Sequence, residues 1–254
     1  MSLNGWSLLL LNNVLFYSIY KSIPFLVERN FYFYIMHTSI EIINKTKDFV
    51  KETLADAEGG HDWFHTLRVY NNALLISKNE NVDSFVVQLG ALLHDIADSK
   101  FHNGDDTIGP KIAREFLFKL YVDSIIIEHV VKIIENISFN KSLEGILAFT
   151  SKELEVVQDA DRLDAIGAIG IARCFNYGGF KNRLLYNPEI KPNLNMSKDE
   201  YKASTAPTIN HFYEKLLLLK DKLNTKTGKK IANERHTYML GFLDQFFSEW
   251  EGEK

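Results

Sequence analysis

The segment ALLHDIADSK, residues 91–100, places a histidine–aspartate pair directly after an apolar run. Because Leu89–Leu93 is apolar, the spacing predicts that His94 and Asp95 lie at the end of a buried helix. Burying an ionised aspartate beside a histidine costs free energy unless something compensates for it. A divalent cation would do so by taking a ligand atom from each residue. A hydrogen-bonded pair at a helix end is the alternative interpretation.

Around this segment the apolar spacing is helical from Thr38 onward, and no alternating strand pattern of any length appears. The pattern predicts one all-α domain. Its predicted helices cover residues 38–58, 62–78, 83–97, 108–120, 123–137, 151–164, 165–177, 197–223 and 226–250. The longest predicted loop, residues 176–196, has a length that is typical of functional loops.

Two further segments concentrate histidine and aspartate: GHDWFHTLRV at residues 60–69 and VQDADRLD at residues 157–164. In the first, two histidines four residues apart share a helix face. In the second, a helical wheel places Asp164 in the buried stripe, Asp161 on its flank and Asp159 on the opposite flank. The wheel alone would favour Asp164 as a functional carboxylate.

In this order, the three segments resemble the HD superfamily of metal-dependent phosphohydrolases, whose ligands follow the pattern His, His-Asp, Asp. The resemblance is closest to small bacterial-type HD hydrolases and covers residues 38–250. It implies an HD-domain helical bundle with a mononuclear metal site in its core. The metal ligands that it implies are His65, His94, Asp95 and Asp161.

Two imidazoles and two carboxylates leave two positions free on an octahedral ion. Such a site suits one divalent Mn, Mg, Fe, Co or Ni ion better than a structural zinc. A metal-bound water loses a proton easily, and the same cation polarises a phosphoryl group. The expected reaction is therefore hydrolysis at phosphorus, and the resemblance implies nucleoside triphosphates or related nucleotides as substrates.

The resemblance also makes Asp98, one helical turn after His94, the predicted general acid or base. Lys100 is predicted to neutralise phosphate charge. Asp164 is predicted to be a buried carboxylate that pairs with Arg162, with Arg173 or with a ligand histidine, which it would support. Five residues are predicted to bind the substrate: His61, Arg68, Arg173, Lys181 and Arg183. Capping and solvated surface charges are the alternative interpretations of these side chains. No role is predicted for His129, His211 and His236.

The charge and composition of the chain limit the kinds of binding partner that the sequence predicts. With 29 basic and 33 acidic residues, the net charge of −4 gives no electrostatic footprint for nucleic acid. Cys174 is the one cysteine, so the chain forms no internal disulfide, which indicates a reducing, cytoplasmic location. An aromatic fraction of 13% is compatible with a homodimer.

Residues 1–36 are predicted to be an apolar extension outside an HD domain of residues 37–254, with a membrane-associating helix as the less favoured alternative.

Three other functions compete with the nucleotide hydrolase. A 5′-nucleotidase or phosphodiesterase of the same superfamily differs in its products. A di-iron HD-type oxygenase requires two iron ions per chain. A non-catalytic sensor of nucleotides or metals would bind without turnover.

Overall fold

The computed structural model describes residues 38–55, 57, 60–97, 105, 107–137 and 149–254. Regular structure in these ranges is helical, without a strand, which confirms the predicted all-α class. Contacts divide the chain into a unit of Met1–Lys45 and a unit of Thr46–Lys254. The predicted extension of residues 1–36 lies outside the described residues, and the boundary after residue 36 stays a prediction.

Most of the observed helices agree with the predicted spans. The helices are α1 (residues 38–53), α2 (Trp63–Ser77), α3 (Ser84–Leu93), α4 (Ile108–Lys119), α5 (Ser124–Asn136), α6 (Lys152–Asp164), α7 (Gly167–Phe180), α8 (Lys198–Ala203), α9 (Asn210–Glu214) and α10 (Lys226–Trp250). A 3-10 helix, Leu216–Lys222, precedes α10. None of the helices in the described ranges has both the length and the apolar character that a membrane span needs.

The core forms where α2 packs against α3 and α6, and α3 in turn packs against α5 and α6. Leu89, Leu92 and Leu93 of α3 are fully buried, as their apolar run predicts. The side chain of Asp62 caps α2 and that of Ser151 caps α6, and each such cap stabilises a helix by about 1 kcal/mol. Packing and caps together fix how α2, α3 and α6 meet.

The prediction of one helix over residues 197–223 is wrong. The chain leaves α8 at Ser204, whose backbone is extended, and it resumes helical structure only at α9. Pro207 lies in this gap, and a proline has no N–H for a helical hydrogen bond. The long loop is also displaced: α7 continues to Phe180, so the loop begins at residue 181.

Asp159 is fully buried, although the helical wheel places it away from the buried stripe. Its carboxylate accepts hydrogen bonds from Asn224 N at 2.8 Å, from Thr225 N at 2.7 Å and from Thr225 Oγ1 at 2.8 Å. The carboxylate thus joins α6 to the first turn of α10. A wheel drawn for one helix cannot reveal this partner, because the partner lies more than 60 residues further along the chain.

We predict that Gly228→Ala destabilises the protein while Gly241→Ala, in the same helix, stabilises it. Alanine is favoured over glycine inside helices by about 0.5–1 kcal/mol. At position 228 the added Cβ would lie 2.5 Å from Asp159 Oδ2 and 2.8 Å from Thr225 Oγ1, whereas nothing lies within 4 Å at position 241. The expected change in the free energy of unfolding is a loss of about 1–3 kcal/mol at position 228.

Urea unfolding followed by circular dichroism measures both variants, and Gly241→Ala is the matched control for helix propensity. A stabilising effect of Gly228→Ala would contradict the close approach of Asp159 to this turn.

Candidate metal centre

Three places in the fold supply the cluster of histidines and aspartates. His65 is in the first turn of α2, where its backbone N–H donates to Asp62 Oδ1 at 2.8 Å. His94 and Asp95 follow the last residue of α3, since this helix ends at Leu93 and not at Ala97 as predicted. Asp161 is in the last turn of α6. Because α2 packs against both other helices, the three places meet in space.

The four side chains predicted to bind the metal lie together. His65 Nε2 is 3.6 Å from Asp95 Oδ2 and 3.5 Å from Asp161 Oδ1. His94 Nε2 is 3.4 Å from Asp95 Oδ2. One ligand atom each from His65, His94 and Asp161 lies within 4.8 Å of the others, and the same holds for His61, His65 and Asp95. Both groups contain His65, so these separations place the predicted ligand atoms around one small volume near its ring, which we call the common point.

In each of the two histidines predicted to bind the metal, one ring nitrogen, Nδ1, has a hydrogen-bond partner. His65 Nδ1 is 2.8 Å from Asp164 Oδ2, and His94 Nδ1 is 2.9 Å from the carbonyl oxygen of Ala91. Both partners are acceptors, so Nδ1 of each ring carries a proton, and Nε2 is the nitrogen that could bind a metal once it has lost its own proton. Within the described part of the chain, neither buried Nε2 atom has a hydrogen-bond partner.

An unpaired buried polar atom costs about 1–3 kcal/mol, so two such atoms facing carboxylates need an explanation. A divalent cation would satisfy both nitrogen lone pairs and would neutralise Asp95 and Asp161. The set of two imidazole nitrogens and two carboxylate oxygens suits such an ion. The residues present therefore fit the metal that the resemblance implies.

Asp164 lies behind His65 and is the most strongly bonded carboxylate of the cluster. Its side chain is almost fully buried, as the helical wheel predicts. It accepts hydrogen bonds from Arg68 Nε at 2.6 Å, from Arg68 Nη2 at 3.0 Å and from Arg173 Nη1 at 2.5 Å. Burial raises the pKa of Asp164, but His65, Arg68 and Arg173 outweigh it and hold this pKa far below its ordinary value.

The same charges act on the groups that face the common point. Burial lowers the pKa of His65, but the carboxylates of Asp164, Asp95 and Asp161 raise it to about 9. Burial raises the pKa of Asp95, yet His94, His61 and His65 bring it well below its ordinary value. The cluster therefore attracts positive charge, and a proton and a metal ion compete for it.

Three of the residues predicted to bind substrate also touch this cluster. His61 Nδ1 is 2.7 Å from Asp95 Oδ2. Arg68 and Arg173 donate to Asp164, and Arg173 Nη2 also donates to the carbonyl oxygen of Gly60 at 2.9 Å. The contacts of the two arginines observed here are to the protein itself, and their role toward a substrate stays a prediction.

The remaining predicted residues lie elsewhere. Lys181 caps the C-terminal end of α7, about 12 Å further along the helix axis than Arg173, and Arg183 follows in the loop. Arg183 Nη2 donates to the carbonyl oxygen of Ser204 at 2.6 Å. Asp98 and Lys100 lie outside the described residues, so their catalytic roles stay predictions.

Sequence reasoning missed Arg235, which supports the cluster from α10. Its guanidinium donates to the carbonyl oxygen of Leu163 and, at 2.9 Å, to Asn72 Oδ1. Asn72 Nδ2 in turn donates to the carbonyl oxygen of Ala160 at 3.2 Å. These bonds anchor the last turn of α6. No signal in the sequence links position 235 to residues more than 70 positions earlier.

Comparison with known proteins identifies the family of this chain. The HD domain family matches residues 63–166, which include the four predicted ligands. The protein YpgQ of Bacillus subtilis is 37% identical over 208 residues, which are 81% of this chain and 92% of YpgQ.

Solved structures are also similar to this chain. A crystal structure of an HD-superfamily hydrolase from Bacillus thuringiensis is 42% identical, has a TM-score of 0.69, and is matched over 84% of this chain and 99% of that one. The crystal structure of YpgQ in complex with ADP has a TM-score of 0.65 and 34% identity, over 84% of this chain and 96% of that one. Identity at this level over four fifths of the sequence means that the chain belongs to the HD superfamily of hydrolases.

Proposed function

We propose that this hydrolase is a divalent-metal-dependent phosphohydrolase of nucleotides, with the ion held by His65, His94, Asp95 and Asp161. The observation that carries the proposal is the pair of buried Nε2 atoms, unpaired among the described residues, that face the two carboxylates. The nucleotide class is supported by the ADP bound to YpgQ in its crystal structure.

When bound, the ion would acidify a water molecule and polarise a phosphoryl oxygen. The protein itself orients the side chains that would hold the ion. Asp164 holds the proton of His65 on Nδ1, and the carbonyl oxygen of Ala91 does the same for His94, so that both Nε2 lone pairs face the common point. His61 is partly exposed and lies against Asp95 at the edge of the site, where it could contact a substrate.

The roles of Asp98 and Lys100 belong to the same proposal. Asp98 follows Asp95 by three residues and is the acid or base that would serve the leaving group. Lys100 would place a cation near the phosphate. Both assignments rest on the sequence resemblance.

We predict that Asp161→Asn and His94→Asn lose both the metal and the activity. Each change removes a ligand to a shared ion, so we expect turnover of nucleotides to fall by about 100-fold or more. Mass spectrometry of the bound metal and chromatography of nucleotide products, after loading with Mn²⁺, measure the two effects. Asp244→Asn, at an exposed position of α10, is the matched control.

The products also separate the alternatives. Pyrophosphate indicates triphosphate cleavage, orthophosphate a nucleotidase, and an opened cyclic nucleotide a phosphodiesterase. Two iron ions per chain without phosphate release would support the oxygenase instead. Wild-type protein that binds Mn²⁺ but converts no phosphorylated compound would refute the hydrolase.

We predict that Asp164→Asn weakens metal binding although Asp164 does not face the ion. Asparagine cannot compensate the charges of Arg68 and Arg173, and it does not hold the His65 ring in the same way. Loss of such a supporting carboxylate costs about 10–100-fold in metal affinity. Isothermal titration with Mn²⁺ measures the affinity, and circular dichroism checks that the variant is folded. An unchanged affinity in a folded variant would show that Asp164 has no part in the metal centre.

A further inference from the structure

Asp161 is the least buried of the four side chains predicted to hold the metal. Its side chain is 43% exposed, against 20% for Asp95, 2% for His65 and 1% for His94. Packing around the side chain therefore does less to hold Asp161 in place than it does for the other three. The position of Asp161 relative to His65 depends on the backbone of α6 and on the contacts that fix this backbone against α2.

Asn72 of α2 makes one of these contacts. It follows His65 by seven residues, which is about two helical turns, so the two side chains leave the same face of α2. Asn72 is buried, and its Nδ2 donates to the carbonyl oxygen of Ala160 at 3.2 Å. Since Ala160 immediately precedes Asp161, this bond limits how far the backbone at Asp161 can shift along α2.

Arg235 of α10 fixes the orientation of the Asn72 amide. Its Nη2 donates to Asn72 Oδ1 at 2.9 Å, so the amide oxygen faces Arg235 and the amide nitrogen faces Ala160. Arg235 Nη1 donates to the carbonyl oxygen of Leu163, two residues after Asp161. Arg235 thus acts on the backbone on both sides of Asp161, once directly and once through Asn72.

The turn between α6 and α7 has a slot for the aliphatic part of the Arg235 side chain. Gly167, in this turn, has a φ of +77°, in the left-handed region that favours glycine. A Cβ on Gly167 would lie 3.0 Å from Arg235 Cγ, 3.1 Å from its Cβ and 3.2 Å from its Cδ. Because the turn closes around the side chain in this way, the guanidinium is held where it bonds α2 and α6.

We propose that Arg235 is a positioning residue of the metal centre, an inference that rests on the function proposed above. By its two bonds it fixes Asp161 relative to His65 and thereby strengthens metal binding. A guanidinium can hold two acceptors at once because its nitrogens point in fixed directions, and the single ammonium of lysine does not reproduce this fork. Small displacements of a ligand weaken metal binding, so loss of the fork should lower the metal affinity as well as the stability.

The first test compares Arg235→Lys with Arg114→Lys, and both variants keep the positive charge. Arg114 also forms two hydrogen bonds, to Glu128 at 2.9 and 2.8 Å, but it lies on α4, which supplies none of the predicted ligands. Isothermal titration of the full-length protein with Mn²⁺ measures the affinity, and circular dichroism checks the fold. We expect Arg235→Lys to weaken Mn²⁺ binding about tenfold. Arg114→Lys should change it by less than about twofold.

A second set of variants separates positioning from stability. Asn72→Leu removes the link to Ala160, and we expect it to weaken Mn²⁺ binding about as much as Arg235→Lys. The double variant should lose little more than either single one, because both side chains act in one chain of hydrogen bonds. Leu243→Ala removes a buried side chain of α10 and lowers the stability, but it should leave Mn²⁺ binding unchanged.

The visible absorption of the Co²⁺-loaded protein gives a further readout, since it depends on the geometry of the ligands around the ion. We expect the spectrum to change in Arg235→Lys and in Asn72→Leu but not in Leu243→Ala. A loss of stability alone would not produce this difference.

Equal Mn²⁺ affinities of Arg235→Lys and Arg114→Lys would overturn the proposal. If Arg235→Lys does not fold, an unchanged Mn²⁺ affinity and Co²⁺ spectrum of Asn72→Leu would overturn it as well. Mn²⁺ binding that depends on Arg235 in a protein that converts no phosphorylated compound would retain this inference and refute the hydrolase. Turnover of nucleotides, together with a Mn²⁺ affinity that Arg235→Lys leaves unchanged, would do the reverse.

Discussion

The rest of the site depends on the hydrogen bond of 2.8 Å between His65 Nδ1 and the Asp164 carboxylate. Because Asp164 stays ionised, it holds a proton of His65 on Nδ1, so Nε2 is the nitrogen for which a second proton and a cation compete. An ionised carboxylate buried to this extent is unfavourable unless it is fully paired. Arg68 and Arg173 provide the pairing, one from α2 and the other from α7. The pairing therefore connects three helices and also orients the His65 ring.

Other contacts in the fold support the same arrangement of side chains. Burial of α3 brings His94 and Asp95 to the end of an apolar helix, where the side chain of His94 is buried and that of Asp95 is partly exposed. Two contacts join α6 to α10. Arg235 of α10 donates to the last turn of α6, and Asp159 of α6 accepts hydrogen bonds at the start of α10. A metal site needs such support because small displacements of its ligands weaken binding.

Much of this could be predicted from the sequence. The apolar run before His94 identified a buried helix end, and the buried stripe of residues 156–167 identified Asp164 as a core carboxylate. The order of the histidine and aspartate segments gave the superfamily. The contacts that could not be predicted join positions far apart in the chain, such as Asp159 with Thr225 and Arg235 with Asn72. The break at Pro207 was missed because helical spacing continues on both sides of it.

The central claim is that His65, His94, Asp95 and Asp161 share one divalent ion. Anomalous X-ray diffraction from Mn²⁺-soaked crystals, collected on both sides of the manganese absorption edge, tests it most directly. We predict one strong peak per chain, about 2.0–2.3 Å from the Nε2 atoms of His65 and His94 and from a carboxylate oxygen of each aspartate. A peak at another location, or no peak between these side chains at saturating Mn²⁺, would contradict it.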